Sequence, residues 1–378
     1  MRWASAIATP SYLGDALAEA AEIIGGQLDG RPDLIFAFVS GQHESHFERF
    51  PVYMDEHFPG SQVVGCSAGG VIGGAREIEG EAAVSLTAAV LPDVEVRTFH
   101  LGSDSATWAL HTADTPELVV LSDPFSCDST ALLDWIDQQL PDATTIGGVA
   151  SGASSPGGHA LFAGDKVHRT GAVGVSLVGN VEVDTIVAQG CRPIGQPMFV
   201  TRAERNVILE LDGQPALAAL ELMHAELTPD DQRLLRTALH LGVVMEESHE
   251  VYEHGDFLIR NIHGIDPKAS ALAVDTVPHA GQVVQFHLRD ASSSADELSE
   301  LLSRHHYAEP AGALLFSCLG RGKRFYGEPN HDSGVFTDHF GPVPLGGFFG
   351  NGEIGPVHGK TFVHGYTSSF GLFRPKQR

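Results

Sequence analysis

The stretch FSCLGRG places Cys318, Gly320 and Arg321 within four residues, and GGFFGNGEIG, residues 346 to 355, sets one carboxylate, Glu353, among five glycines. A guanidinium, a carboxylate and the amides of glycine turns suit a small zwitterion. Arg321 and the amides would take its carboxylate, and Glu353 its ammonium. The candidate ligand residues are therefore Arg321, Glu353, Cys318, Gly320, Gly350, Asn351, Gly352 and Phe348, with Cys66 and Ser67 from a matching stretch upstream. The alternative is an Arg321–Glu353 ion pair that only tethers two loops.

Two other motifs compete for the same glycines. Gly350-x-Gly352-x-x-Gly355 satisfies the dinucleotide expression, which needs a helix at its glycines and an acid about twenty residues on. The chain instead continues PVHGKTFVHGYTSSF, a strand-and-turn pattern, and has no such acid. Gly65-Cys66-Ser67-Ala68-Gly69 fits a nucleophile elbow, but GVIGGAREIEG after it is a poor helix. Small residues at a tight strand crossing explain it better than a Ser67 hydrolase. Cys318 as a nucleophile needs a base that the sequence does not identify.

The elements that must position these residues recur. DLIFAFVS (33–40) precedes QVVGCSAGGVIGG (62–74), ELVVLSDPF (117–125) precedes TTIGGVASGAS (144–154), and GALLFSCLGRG (312–322) precedes VPLGGFFGNGEIG (343–355). The first member of each pair is an apolar buried-strand run. Three copies of one unit follow, with Gly65, Gly148 and Gly347 aligned and Glu353 at the place of Val71. Amphipathic helices are expected around Leu13–Ile24 and from Ser129 to Leu140, the latter capped near Asp128. Residues between the second and third copies alternate as antiparallel strands. The fold class is α/β, a mixed α+β arrangement of two packed domains, 1–201 and 202–378, whose β-sheets are flanked by helices.

Composition narrows the function. The chain has 378 residues, 43% apolar and 19% charged, which fits a globular protein of two domains. Forty-eight acids against 23 bases leave a charge of -25, which disfavours nucleic acid and anionic membrane partners. No signal peptide or membrane span is legible at the N-terminus, so a cytoplasmic location is expected. The four cysteines lie far apart and the 20 histidines form no compact ligand set, so no metal site is expected.

VVGCSAGGVIG, LSDPFSCD, TIGGVASG, the run from VGNVEVDTIVAQGCRPIG to LDGQPAL, FLIRNIHGIDP, ALLFSCLGRG, PLGGFFGNGEIGPV and HGYTSSFGLF together resemble the FIST domain family, in its N-terminal and C-terminal halves. The resemblance spans roughly residues 30 to 370. It implies a bacterial sensory protein that binds a small ligand, amino acids among the proposals, and signals through a separate partner where no output domain is fused. Some relatives are haem proteins sensing nitric oxide, and one eukaryotic relative is an F-box protein. For haem, Cys318 or His364 would supply the axial ligand. No cofactor is otherwise expected.

Overall fold

The computed structural model describes residues 1–110, 114–247, 251–305 and 309–376. They form two compact units: Met1–Val187 with Leu298–Arg378, and Ala188–Glu297.

The first unit is one strand plan built three times. Each copy has an edge strand, a first parallel strand, a second parallel strand, a hairpin and a return strand. In the first copy these are Arg2–Ala8, Leu34–Ser40, Gln62–Ala68, the hairpin Gly70–Gly73 with Arg76–Glu79, and Val84–Val90. In the second they are Val94–Leu101, Glu117–Ser122, Thr144–Val149, Leu161–Ala163 with Lys166–His168, and Ala172–Gly179. The third uses Glu182–Ala188, Gly312–Cys318, Leu345–Gly350, Gly352–Val357 with Lys360–His364, and Ser368–Arg374. Each copy's return strand lies between its edge strand and its first parallel strand, which pairs with the second. The hairpins do not stay at home. The first copy's hairpin completes the third copy's sheet, the second's completes the first, and the third's completes the second. Three six-stranded sheets result, linked in a cycle.

Local sequence explains the pairs. Leu34–Ser40 is buried along its whole length, as an apolar run covered on both faces must be. The helix Leu13–Gln27 turns Leu13, Ala16, Leu17, Ala20 and Ile24 inward, and Ser129–Gln139 starts where the Asp128 carboxylate accepts the Ala131 amide. The repeat glycines are set by close approach. A Cβ on Gly65, Gly147 or Gly347 would lie 1.8 Å from the carbonyl oxygen of Ala37, Val120 or Leu315, the residue paired with it. In the second copy the equivalent glycine is thus Gly147, one residue before the expected Gly148. Two adjacent glycines let the sequence alignment slip by one.

The second unit is a closed antiparallel barrel. Its strands run in the order Cys191–Glu204, Val283–Arg289, Leu239–Val244, Phe257–Asp266, Ala271–Val274, Val207–Leu211, and the last pairs back with the first. Ile194, Val200, Leu241, Val284, Phe286 and Leu288 lie in its core. By sequence this unit is an insertion within the third copy, between that copy's edge strand and its first parallel strand. The boundary expected at residue 201 falls inside the strand Cys191–Glu204.

Candidate functional site

Beyond the strand Gly312–Cys318 the chain turns through Gly322, whose φ is 72°, into the helix His331–Phe340. That path brings Asp332 onto Arg321. Nε of Arg321 donates to Oδ2 of Asp332 at 2.9 Å and Nη2 to Oδ1 at 3.1 Å, while Nη1 donates to the Tyr366 carbonyl at 3.3 Å. The two side chains are 0% and 1% exposed. The Ser317 and Ser368 hydroxyls donate to Oδ2, and His331 Nδ1 lies 3.0 Å from Oδ1. Tyr326 lies 5.4 Å from the guanidinium carbon, and His331 stacks on it. Burial alone would raise the Asp332 carboxyl, but Arg321, His331 and Ser368 hold it well below the usual carboxylate range. The expected partner of Arg321 is corrected by this geometry. The guanidinium grips Asp332 in a two-bond pair and is sealed from solvent, so it is not presented to a ligand.

Glu353 is buried for a different reason. Its strand pairs it with Gly148, as Leu161 is paired with Cys66 and Val71 with Phe348 in the other hairpins. Val71 and Leu161 are core residues, so the third copy places a carboxyl where the other two place a hydrocarbon. Oε2 accepts the Thr367 amide at 3.1 Å, while Oε1 has no hydrogen-bond partner. Burial pushes this carboxyl well above its ordinary range, opposed by the Thr367 amide, the Arg321 charge and the Cys318 thiol. Cys318 is half-buried, and Gly320 N donates to its Sγ at 3.4 Å. Glu77, from the first copy's hairpin, accepts the Ser333 amide at 2.7 Å. Burial and the Asp332 charge raise its carboxyl to about 7.

The second parallel strands of the three copies meet at their carboxyl ends. The glycine register makes Gly69, Ser151 and Asn351 equivalent positions. Ser151 N donates to Ser67 O at 3.2 Å and Asn351 N to Val149 O at 3.0 Å. The third link of the ring passes through a hydroxyl: Gly69 N donates to Ser151 Oγ at 2.8 Å, and Ser151 Oγ donates to Phe349 O at 2.5 Å. Asn351 Nδ2 also donates to Ala150 O. Over this junction lies an open cleft of about 450 Å³, walled by Glu44, Gly69, the loop residues Gly152, Ala153, Ser154, Ser155 and Gly158, and by Leu319 and Asn351. Clefts at the carboxyl ends of parallel strands are where open α/β sheets bind ligands.

Of the residues picked from sequence, Asn351 lines the cleft, while Gly320, Cys318, Gly350 and Gly352 adjoin its walls in sequence. Arg321 and Glu353 are buried and do not line it. Phe348 is core, stacked on Phe38 with centroids 4.9 Å apart, and Cys66 is 0% exposed. Ser67 is also buried, and its Oγ accepts the Ala160 amide. The buried His159 pairs with Asp123 at 2.9 Å, but its Nε2 meets no hydroxyl, so Ser67 has no hydrogen-bonded base. His364 is buried with Nε2 at 3.0 Å from Gly355 O. Asp332, Ser151, Glu44 and Glu77 are the residues that sequence reasoning missed. None carried a signal, because the sequence alignment set Gly152 opposite Gly69, and only the structural register through Gly147 puts Ser151 there.

The model of the FIST N domain matches residues 33–214 and that of the FIST C domain residues 219–356. An uncharacterized protein of Mycobacterium tuberculosis is 38% identical over 370 residues, covering 95% of each chain. An uncharacterized protein of Mycobacterium bovis is 37% identical over 321 residues, 82% of each chain. Human F-box only protein 22 is 50% identical over 43 residues, 11% of each chain. With both domain models matched in order across most of its length, the chain belongs to the FIST family.

Proposed function

We propose that this protein is a sensory protein binding a small ligand, an amino acid or a similar small zwitterion, in the cleft over the three-strand junction. The observation that carries the reading is the cleft's complement of groups. Glu44 makes no ion pair or hydrogen bond among the described residues, and it stands on the wall as a receptor for an ammonium. The amides of Gly152, Ala153, Ser154 and Ser155, also on the wall, donate no backbone hydrogen bond among the described residues. With the Ser154 and Ser155 hydroxyls they offer donors for a carboxylate, and Leu319, 43% exposed, offers apolar surface for a side chain. The zwitterion expected from sequence keeps its chemistry and changes its receptors, from Arg321 and Glu353 to the loop amides and Glu44.

A thermal-shift screen of amino acids and small amines tests the reading. A ligand at 100 times its Kd adds about 2.7 kcal/mol of stability. Glu44→Ala is expected to weaken the best ligand about tenfold or more, the loss of one charge-assisted hydrogen bond. An affinity unchanged in Glu44→Ala and in Asn351→Ala places the site elsewhere. Output is proposed to pass to a separate signalling protein, and cross-linked partners that are identical with and without ligand would contradict that step.

A further inference from the structure

We propose that the barrel unit is an acid sensor: protonation of the cross-strand pair His240 and His287 parts the strands Leu239–Val244 and Val283–Arg289 and opens the barrel between them. The inference does not depend on what the cleft binds. The two histidines are direct partners in the antiparallel register, with Pro193 opposite His287 and Asn261 opposite His240 on the flanking strands. Their neighbours Leu241, Phe286 and Leu288 belong to the barrel core, so by strand alternation both imidazoles lie on the other face. That face is nonetheless buried, with His287 0% and His240 7% exposed.

The surroundings suit a neutral ring. Nδ1 of His287 lies 3.0 Å from the Gln285 carbonyl and Nδ1 of His240 3.0 Å from that of Ala238. A carbonyl only accepts, so each Nδ1 carries the hydrogen and a further proton must enter at Nε2. In His287 that atom has no hydrogen-bond partner. The ring packs against Phe257, with centroids 5.2 Å apart, and over Gly242, where a Cβ would come 2.3 Å from its Cε1. The ionisable groups acting on His287 are His254, whose Nε2 lies 2.6 Å from the Cys191 carbonyl, and His240. Both become cations in acid. Arg289 opposes a charge on His240 and Asp275 favours it, while Glu297 lies 3.9 Å from Nδ1 of His254. Like charges directly opposite each other on antiparallel strands destabilise the pairing.

Burial holds the His287 imidazole down at about 4, from an ordinary 6.5, and lowers that of His240 as well. The folded value lies below the unfolded one, so the opened chain binds the proton first. The stability is complete above pH 6.5 and is lost as pH falls from there towards 4. For one such histidine the opening equilibrium rises about twentyfold between pH 7 and pH 5.

The test follows hydrogen–deuterium exchange of the folded full chain by mass spectrometry at pH 7 and pH 5, each peptide corrected for its intrinsic exchange rate. Peptides covering Leu239–Val244 and Val283–Arg289 are expected to lose about twentyfold in protection at pH 5 and to regain it on return to pH 7. The strand Gly312–Cys318 of the first unit is expected to keep its protection. His287→Phe retains a ring without a titrating nitrogen and is expected to remove most of the loss. His240→Gln leaves His287 in place but takes away the opposed charge; it is expected to reduce the loss and serves if the phenylalanine variant does not fold. Unchanged protection of the two barrel strands at pH 5, or an equal loss in Gly312–Cys318, overturns the proposal. So does a loss as large as the wild type's in whichever variant folds.

Discussion

Arg321 is tolerated in the interior because each of its three nitrogens has an acceptor, Asp332 for two and the Tyr366 carbonyl for one, with the Tyr326 ring nearby. Removing one partner leaves the other charge buried alone. Asp332→Ala is therefore expected to cost about 3–5 kcal/mol in urea unfolding. The double substitution Arg321→Met with Asp332→Leu is expected to recover most of that loss. A single-variant loss below about 1 kcal/mol would show that the pair is not what holds this turn. Glu77 sets a pH dependence of known sign. Its carboxyl rises from 4.5 to about 7 on folding, so the folded state holds the proton more tightly. The stability it contributes is complete below pH 4.5 and is lost as pH rises through 7. Glu77→Gln keeps an uncharged group and is expected to match the wild type near pH 4.5 and exceed its Tm at pH 8. Glu117, also raised to about 7 by burial, adds a slope of the same sign that remains in the variant. Equal Tm differences at both pH values would contradict the placement of Glu77. At this scale the sequence marked Arg321 and Glu353 as out of place, and both are fully buried ionisable groups of the third copy. It did not reveal Asp332, because the pairing depends on a glycine turn and two short helices whose residues carry no clear period.

Among the elements, the parallel pairs and their glycines were legible, because apolar runs of strand length recur with the same glycine punctuation. The exchange of hairpins was not, since a hairpin reads the same whichever sheet it joins. Gly347→Ala places a Cβ 1.8 Å from Leu315 O, and the equivalent Gly65→Ala meets Ala37 O at the same distance. Each is expected to be among the most damaging single changes, above about 4 kcal/mol, because both partners are backbone. Gly157→Ala, whose φ is 78° but whose Cβ meets nothing within 4 Å, is expected to cost about 1 kcal/mol. Similar Tm losses for Gly347→Ala and Gly157→Ala would contradict the close-approach explanation. At the junction, Ser151→Ala removes the hydroxyl that joins Gly69 N to Phe349 O, and an expected loss of about 1–3 kcal/mol follows from a half-buried amide and a buried carbonyl that lose this partner. A neutral result in denaturant unfolding would mean the ring closes without it.

For the whole molecule, the three sheets cannot be assembled from either sequence half. The Gly70–Gly73 hairpin needs Leu345–Gly350, and Thr144–Val149 needs Gly352–Val357. Residues 1–201 alone are therefore expected to lack a cooperative thermal transition, while 188–297, a closed barrel with its own core, is expected to show one. The family was legible from glycine-rich motifs, but the cleft proposed for the ligand was not. Cleft walls come from Glu44, Gly69, Gly152, Leu319 and Asn351, residues as far apart in sequence as Glu44 and Asn351 that only the cyclic sheet arrangement brings together. A crystal structure of the complex with the most stabilising amino acid tests the central claim most directly. The expected result is ligand density over the junction, its ammonium within hydrogen-bond distance of Glu44 and its carboxylate on the Gly152–Ser155 amides. Density at any other place on the protein, with the cleft open, would contradict it.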